Sequence, residues 1–220
     1  MPPDDITGFI LAGGRSRRMG QDKARIAWGR GTLLTHAIER MQQVVKRVFV
    51  VGSAVESPVP AVQDVFSGHG PLAGIHAALA QTTSDWNLVL AVDMPLVTTS
   101  LLNLVAAQCD DKSIVVVLRA TSASAQDGIA PPATGEAFLQ PLCAAYHRRV
   151  LPFLEQALST GELSIHGLLE RWQEGIMKGE SNALRILGEQ ELAHTGFSSE
   201  MLLNVNTPAD LERARVLAGL

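Results

Sequence analysis

Apolar positions fall along this chain in two rhythms. Five β-branched runs read as strands: TGFILA at 7–12, KRVFVVG at 46–52, WNLVLAVD at 86–93, KSIVVVL at 112–118 and MLLNVN at 201–206. Several are continuous rather than alternating, the pattern of strands covered on both faces. Between them lie segments with helical spacing. TLLTHAIERMQQV at 32–44 has Thr32 placed as an N-cap, and PLAGIHAALAQ at 71–81 opens on Pro71, which a first helical turn tolerates. TTSLLNLVAAQC at 98–109 and TPADLERARVLAGL at 207–220 complete the set. Strands alternating with helices predict an α/β protein, a single domain over residues 1–220 with a mainly parallel sheet. RATSASAQDGIAPPATG at 119–135, rich in small residues and proline, reads as a loop.

Composition narrows the function classes. The 220 residues are 46% hydrophobic and 18% charged, with a formal net charge of -4. A protein built to follow nucleic-acid backbones would be basic, so nucleic acid is not an expected partner. The run MPPDDITGF carries acids where a secretory signal carries bases, and no stretch reaches the ~18 apolar residues of a membrane span. Cys109 and Cys143 have no CxxC spacing, which argues against a zinc site or a disulfide scaffold. The expected setting is cytoplasmic, away from membranes.

Against that acidic background, FILAGGRSRRMGQDKA at 9–24 is anomalous. A strand runs into Gly13 and Gly14, then Arg15, Arg17 and Arg18, then Gly20, Asp22 and Lys23. Ligands of open parallel sheets collect at the carboxyl ends of strands. Two glycines there permit a tight turn whose N–H groups form an anion nest. Arg15, Arg18 and Lys23 add positive charge, with Lys23 read as an exposed phosphate contact, so the expected guest is a polyphosphate. No Lys-Ser or Lys-Thr pair follows, so this is not a Walker A loop, nor is it GxGxxG.

LAGGRSRRMGQDK resembles the signature loop of nucleotidyltransferases that hold a nucleoside triphosphate on a Rossmann-like sheet. Together with GPLAGI, VDMPLV, PLCAAYHRRVLPFLEQAL and NVNTPADL, it is most similar to the molybdenum cofactor guanylyltransferases, over nearly the whole chain. The resemblance implies a Rossmann-like three-layer domain, and transfer of GMP from GTP to the phosphate of molybdopterin or molybdenum-molybdopterin, with pyrophosphate released. It also suggests molybdenum-insertion and apo-molybdoenzyme proteins as partners. Related enzymes that move CMP or use a sugar-phosphate acceptor are alternatives, as is a nucleotide-binding module without turnover.

The resemblance also distributes roles. Leu11, Ala12, Gly13, Gly14, Lys23, Asp64, Gly70, Asp93 and Asn206 would bind the nucleotide, with Arg15, Arg18, Lys23 and Asp93 catalytic. Asp93, at a strand's carboxyl end, would hold Mg²⁺, which takes one or two carboxylates plus phosphate oxygens. Asp64 would accept hydrogen bonds from the guanine nucleotide, and Gly70 and Gly74 would let base or ribose come close. Asn204 and Asn206 would line the site, with Asn206 or Thr207 also able to cap the last helix. Tyr146, His147, Arg148 and Arg149 fall in a segment that by resemblance faces the second substrate, with the two arginines either near its phosphate or on a solvated helix face. His76 reads as an ordinary helix residue, and His69 as a turn residue before that helix. Cytidylyl relatives carry alanine where this chain has Gly13, which suggests that the missing Cβ leaves room for a purine.

Overall fold

The structure is a computed structural model that describes residues 5–13, 22–52, 56–63, 66, 69–121, 137–161, 164–177, 184–193 and 196–220. Its centre is β1 (Ile6–Leu11), buried along its whole length. It pairs in parallel with β4 (Arg47–Val51) on one side and β6 (Trp86–Ala91) on the other. The short β5 (Ala61–Val62) extends the sheet beyond β4. On the far side of β6 come β8 (Ala137–His147), β7 (Val115–Thr121) and β9 (Leu184–Leu187). The order is β5-β4-β1-β6-β8-β7-β9, and β8 alone runs antiparallel to its neighbours. A separate two-stranded ribbon joins β2 (Ala27–Trp28) to β3 (Gly31–Thr32).

The helices that local spacing predicts are present. α1 (Leu33–Gln42) starts at Thr32, whose side chain and that of Thr35 cap one another's backbone N–H groups. α2 (Gly70–Gln81) has Pro71 in its first turn, and α3 (Thr99–Ala107) is capped by Thr98. α7 (Pro208–Ala218) is capped by Thr207 in a capping box with Asp210, so Thr207 and not Asn206 is the cap. α4 (Leu151–Ser159), α5 (Ile165–Met177) and the short α6 (Glu189–Leu192) complete the shell. α2 packs against α4 and against β1, β4 and β6; α1 packs on β1 and β4. One continuous hydrophobic cluster runs from Ile6 to Ala214.

One expected strand is not there. MLLNVN forms a 3-10 turn over Ser199–Leu202 and then unpaired extended chain. Leu202, Leu203 and Val205 are apolar because the segment is buried, not because it pairs; burial and pairing leave the same mark on a short run. The Val205 N–H reaches across to the carbonyl of Asp93 at 2.8 Å.

The site depends on the topology. The chain leaves β1 for β4 and β5 on one side, then returns to β6 on the other. The direction of winding therefore reverses between β1 and β6, and a crevice outside their carboxyl ends is where such sheets take ligands.

Candidate active site

Backbone hydrogen bonds tie the strand ends together at that crevice. The Ala12 N–H donates to Val51, Val92 to Leu11, and Gly52 to Val62, each at about 3.0 to 3.1 Å. Leu11 and Ala12 are buried in this join, and Gly13 is exposed just beyond it. Gly13 faces Gly52 closely. A Cβ on Gly52, whose φ is +76°, would lie 3.1 Å from the Gly13 Cα, whereas a Cβ on Gly13 would sit 3.4 Å from the Gly52 Cα, ordinary contact. The glycine that this approach demands is thus Gly52, which carries no motif of its own in the sequence.

Three segments converge beside this point. Asp22 caps a 3-10 turn, Lys23–Arg25, by accepting from the Ala24 N–H at 2.9 Å. The turn aims Lys23 at the end of β6, where its Nζ donates to Asp93 Oδ2 at 2.6 Å and to Asn206 Oδ1 at 2.6 Å. The Asn206 N–H donates to Asp210 Oδ2 at 3.1 Å, so the cap of α7 holds the asparagine's backbone. Lys23 and Asp93 are 15% and 13% exposed. The lysine is therefore a mostly buried ion-pair member, not the exposed phosphate contact expected. An ammonium has three donors, and Asp93 and Asn206 take two.

Other candidates lie nearby. Gly70 begins α2 at φ +68°, a value a residue with Cβ resists, beside the crevice. Gly74 serves packing instead. A Cβ there would meet Leu11 Cδ2 at 3.4 Å, so this glycine seats α2 on β1 rather than opening room for a base or ribose. His69 precedes α2 without capping it, and its Nδ1–H donates to the Phe66 carbonyl at 3.0 Å. His76 is buried in α2 with its ring edge against Phe66. Asn204 is also buried, two residues before Asn206. Gly14, Arg15, Arg18 and Asp64 lie outside the described residues.

Arg148 and Arg149 do not join the site. They follow His147, which pairs with Trp86 at the start of β6, and the Arg148 N–H donates to the Asp85 carbonyl. Arg149 donates to the carbonyls of Asp111 and Ser113. Because β8 is antiparallel, its end lies at the sheet edge opposite Asp93, roughly 20 Å away along a strand rising ~3.3 Å per residue. Tyr146 is buried, its hydroxyl donating to the Pro141 carbonyl. The start of β8, not its end, shares the edge with Asp93.

Asp93 and Asn206 offer two oxygens that already converge on one cation, the Lys23 ammonium. Such a donor set suits a hard divalent ion completed by phosphate oxygens. Among the described residues no group of three or more His, Cys, Asp or Glu gathers into a protein-only metal cage. The arrangement can therefore hold and align a phosphate chain, with charge supplied from one side by Lys23 and a carboxylate available to a second cation.

A lysine–aspartate–asparagine cluster beside the topological switch point of a mainly parallel sheet marks a phosphate-handling protein of the Rossmann-like kind. Residues 8–175 match the MobA-like NTP transferase domain family, and the chain belongs to that family. Curated relatives include a probable molybdenum cofactor guanylyltransferase of Pelotomaculum thermopropionicum. It is 32% identical over 96% of this chain and 93% of its own length. Another, from Bacillus mycoides, is 30% identical over 94% of each. The fold also resembles the crystal structure of molybdopterin-guanine dinucleotide biosynthesis protein A from Archaeoglobus fulgidus, with a TM-score of 0.71 at 23% identity, covering 97% of this chain and 98% of that one.

Proposed function

We propose that this enzyme transfers GMP from GTP to the terminal phosphate of molybdopterin, or of its molybdenum-loaded form, and releases pyrophosphate. The observation that carries the reading is the Lys23 ammonium shared between Asp93 and Asn206 at the switch point. The names of relatives that align over nearly the full chain supply the substrates.

The chemistry asks little of a general base. A phosphate monoester has a second pKa near ~6 and is mostly dianionic at neutral pH. Its oxygen forms the new bond to the α-phosphorus of GTP, and the bond from that phosphorus to the pyrophosphate oxygen breaks. What remains for the protein is alignment of two anions and neutralisation of the departing charge. The crevice beyond Gly13 and Gly70 receives the nucleotide. Lys23 has one donor beyond those used by Asp93 and Asn206, available to a phosphate oxygen. Asn206, fixed by Asp210, keeps the lysine's direction. Asp93, with Asn206, would hold Mg²⁺, whose positive charge would stabilise pyrophosphate as it leaves.

We place the reaction in the cytoplasm. No helix of the described residues is long and apolar enough to cross a membrane. Cys109 and Cys143 are buried free thiols, each pushed up to about 12 by desolvation and so inert.

The reading is tested by pyrophosphate release on mixing the protein, Mg²⁺ and molybdopterin with GTP, CTP or ATP in turn. Release with GTP alone supports it. Release with CTP instead, or only with a sugar phosphate as acceptor, overturns it.

A further inference from the structure

A cavity of about 590 Å³ lies between the β2–β3 ribbon, α1, the segment after Asp93 and the end of α7, and Lys23, Asp93 and Asn206 are not among its lining residues. That is within the ~300–1,000 Å³ of small-molecule sites. No role proposed above uses it. Trp28, Met201 and Leu217 give it apolar wall, and Arg30 and Arg40 line it too. Among the described residues neither arginine has an ion-pair partner, although Arg40 is half-buried. Two carboxylates share the lining. Glu200 lies 3.5 Å from Arg213, and Glu39 is exposed on the same helix as Arg40 without pairing to it. Burial works against the Arg40 charge and Glu39 offsets it only in part, with no carboxylate at ion-pair distance among the described residues, so the guanidinium has room for a further anion.

The polar contact that Arg40 makes is an unusual one. Its Nε donates to His36 Nε2 at 2.8 Å, while the same Nε2 lies 3.0 Å from the Pro95 carbonyl oxygen. One ring nitrogen cannot accept from Arg40 and donate to Pro95 at once. Burial first, then the neighbouring Arg40 charge, hold His36 below its ordinary value, so the ring is neutral and carries a single proton. With that proton on Nδ1, His36 serves Arg40. With it on Nε2, His36 serves Pro95, two residues from Asp93, and Arg40 is released.

The geometry points to an effector site: the cavity binds a small molecule bearing a phosphate or carboxylate on an apolar ring. Its anion engages Arg30 and Arg40, drawing Arg40 from His36 and letting His36 grip the loop that carries Asp93. Three walls of the cavity continue the segments that hold Lys23, Asp93 and Asn206. Occupancy there therefore bears on the catalytic cluster without touching it.

The test needs neither nucleotide nor pterin, so its outcome is independent of the proposed reaction. Phenyl phosphate and benzoate are titrated separately into the full chain by calorimetry, at ionic strength matched with potassium chloride. The side-chain ¹⁵N signals of His36, assigned through His36→Gln, are followed in parallel. Saturable binding of one probe is expected, and which probe binds distinguishes phosphate from carboxylate ligands. Loss of one charge-assisted contact should weaken it about tenfold or more in Arg40→Gln, and further in R30Q/R40Q. The bound form should show His36 protonated at Nε2. Lack of saturation by either probe, or equal affinity in R30Q/R40Q, overturns the site. Saturable, arginine-dependent binding with an unmoved His36 tautomer overturns the coupling to Asp93.

Discussion

At Lys23 a single ammonium ties together residues 70 and 183 positions apart in the chain. Lys23→Ala therefore removes more than a phosphate contact. It leaves Asp93, only 13% exposed, with no cationic partner that the described residues supply, and removing one member of a mostly buried pair destabilises. Turnover should fall at least about a hundredfold, as for loss of one transition-state donor. The melting temperature should also fall by a few degrees, measured by calorimetry alongside pyrophosphate release. A variant as stable as the parent would mean that the ion pair is marginal in solution. Asp93→Asn keeps the shape and removes the charge. Its Mg²⁺ activation curve should shift to higher concentration, because an amide oxygen is the poorer ligand; a superimposable curve would take Asp93 out of metal binding. Gly13→Ala is the test of base choice. The structure makes it a clean one, since the new methyl meets Gly52 only at ordinary contact distance and the backbone there is not left-handed. If Gly13 leaves space for guanine, the ratio of kcat/KM for GTP to that for CTP should drop roughly ten- to a hundredfold. An unchanged ratio with good activity would shift base choice to Asp64 and the turn into α2.

Among the elements, those with a local signature were legible and those defined by partners were not. α1, α2, α3 and α7 announce themselves through spacing plus a cap residue, and β1, β4, β6 and β7 through unbroken apolar runs. β8 gave no such signal. Pro141 sits inside it, and the sheet accommodates that by a register shift: Val117 pairs with Ala144, but Leu118 pairs with Gln140. A proline cannot donate to a ladder, so it is found at such irregularities. The misplacement of Arg148 and Arg149 follows from the same gap. Without knowing that β8 runs antiparallel, its two ends cannot be assigned to the two edges of the sheet. The candidate site was readable as residue types after strand ends. The joining of Lys23 to Asn206 was not, because it depends on how α7 starts. Asp210 makes that start do two things, capping α7 and holding Asn206. Asp210→Ala should cost about 1 kcal/mol as a lost cap, a shift of roughly 2–4 °C for a chain this size. It should also lower kcat through Asn206, whereas Thr207→Asn, which keeps a capping side chain, should spare both. Equal kcat in Asp210→Ala and the parent would confine Asp210 to capping.

For the molecule as a whole, two histidines at different places in the fold pull stability in the same direction with pH. His36 is held below its ordinary value of 6.5 by burial first and the Arg40 charge second. His147 is held below it by burial first and the Arg149 charge second, its Nδ1 accepting from the Arg149 N–H and its ring edge set against Trp86. At pH 8 both rings are neutral, folded or unfolded. As pH falls through 6.5 the unfolded chain takes up protons that the folded chain refuses, and stability falls with it. Asp110 and Glu191, lowered by the Ser113 backbone bond and by Arg185, act in the same sense only in the carboxylate range, below about pH 4. Between pH 8 and 5.5 the decline should thus follow the histidines. Urea unfolding at pH 8, 6.5 and 5.5 should show the free energy decreasing at each step. His147→Gln should lose some stability at pH 8, where its bond from Arg149 is weakened, but should lose less on acidification than the parent does. If the variant and the parent decline in parallel, His147 titrates alike in both states, and the burial of its ring against Trp86 does not persist in solution.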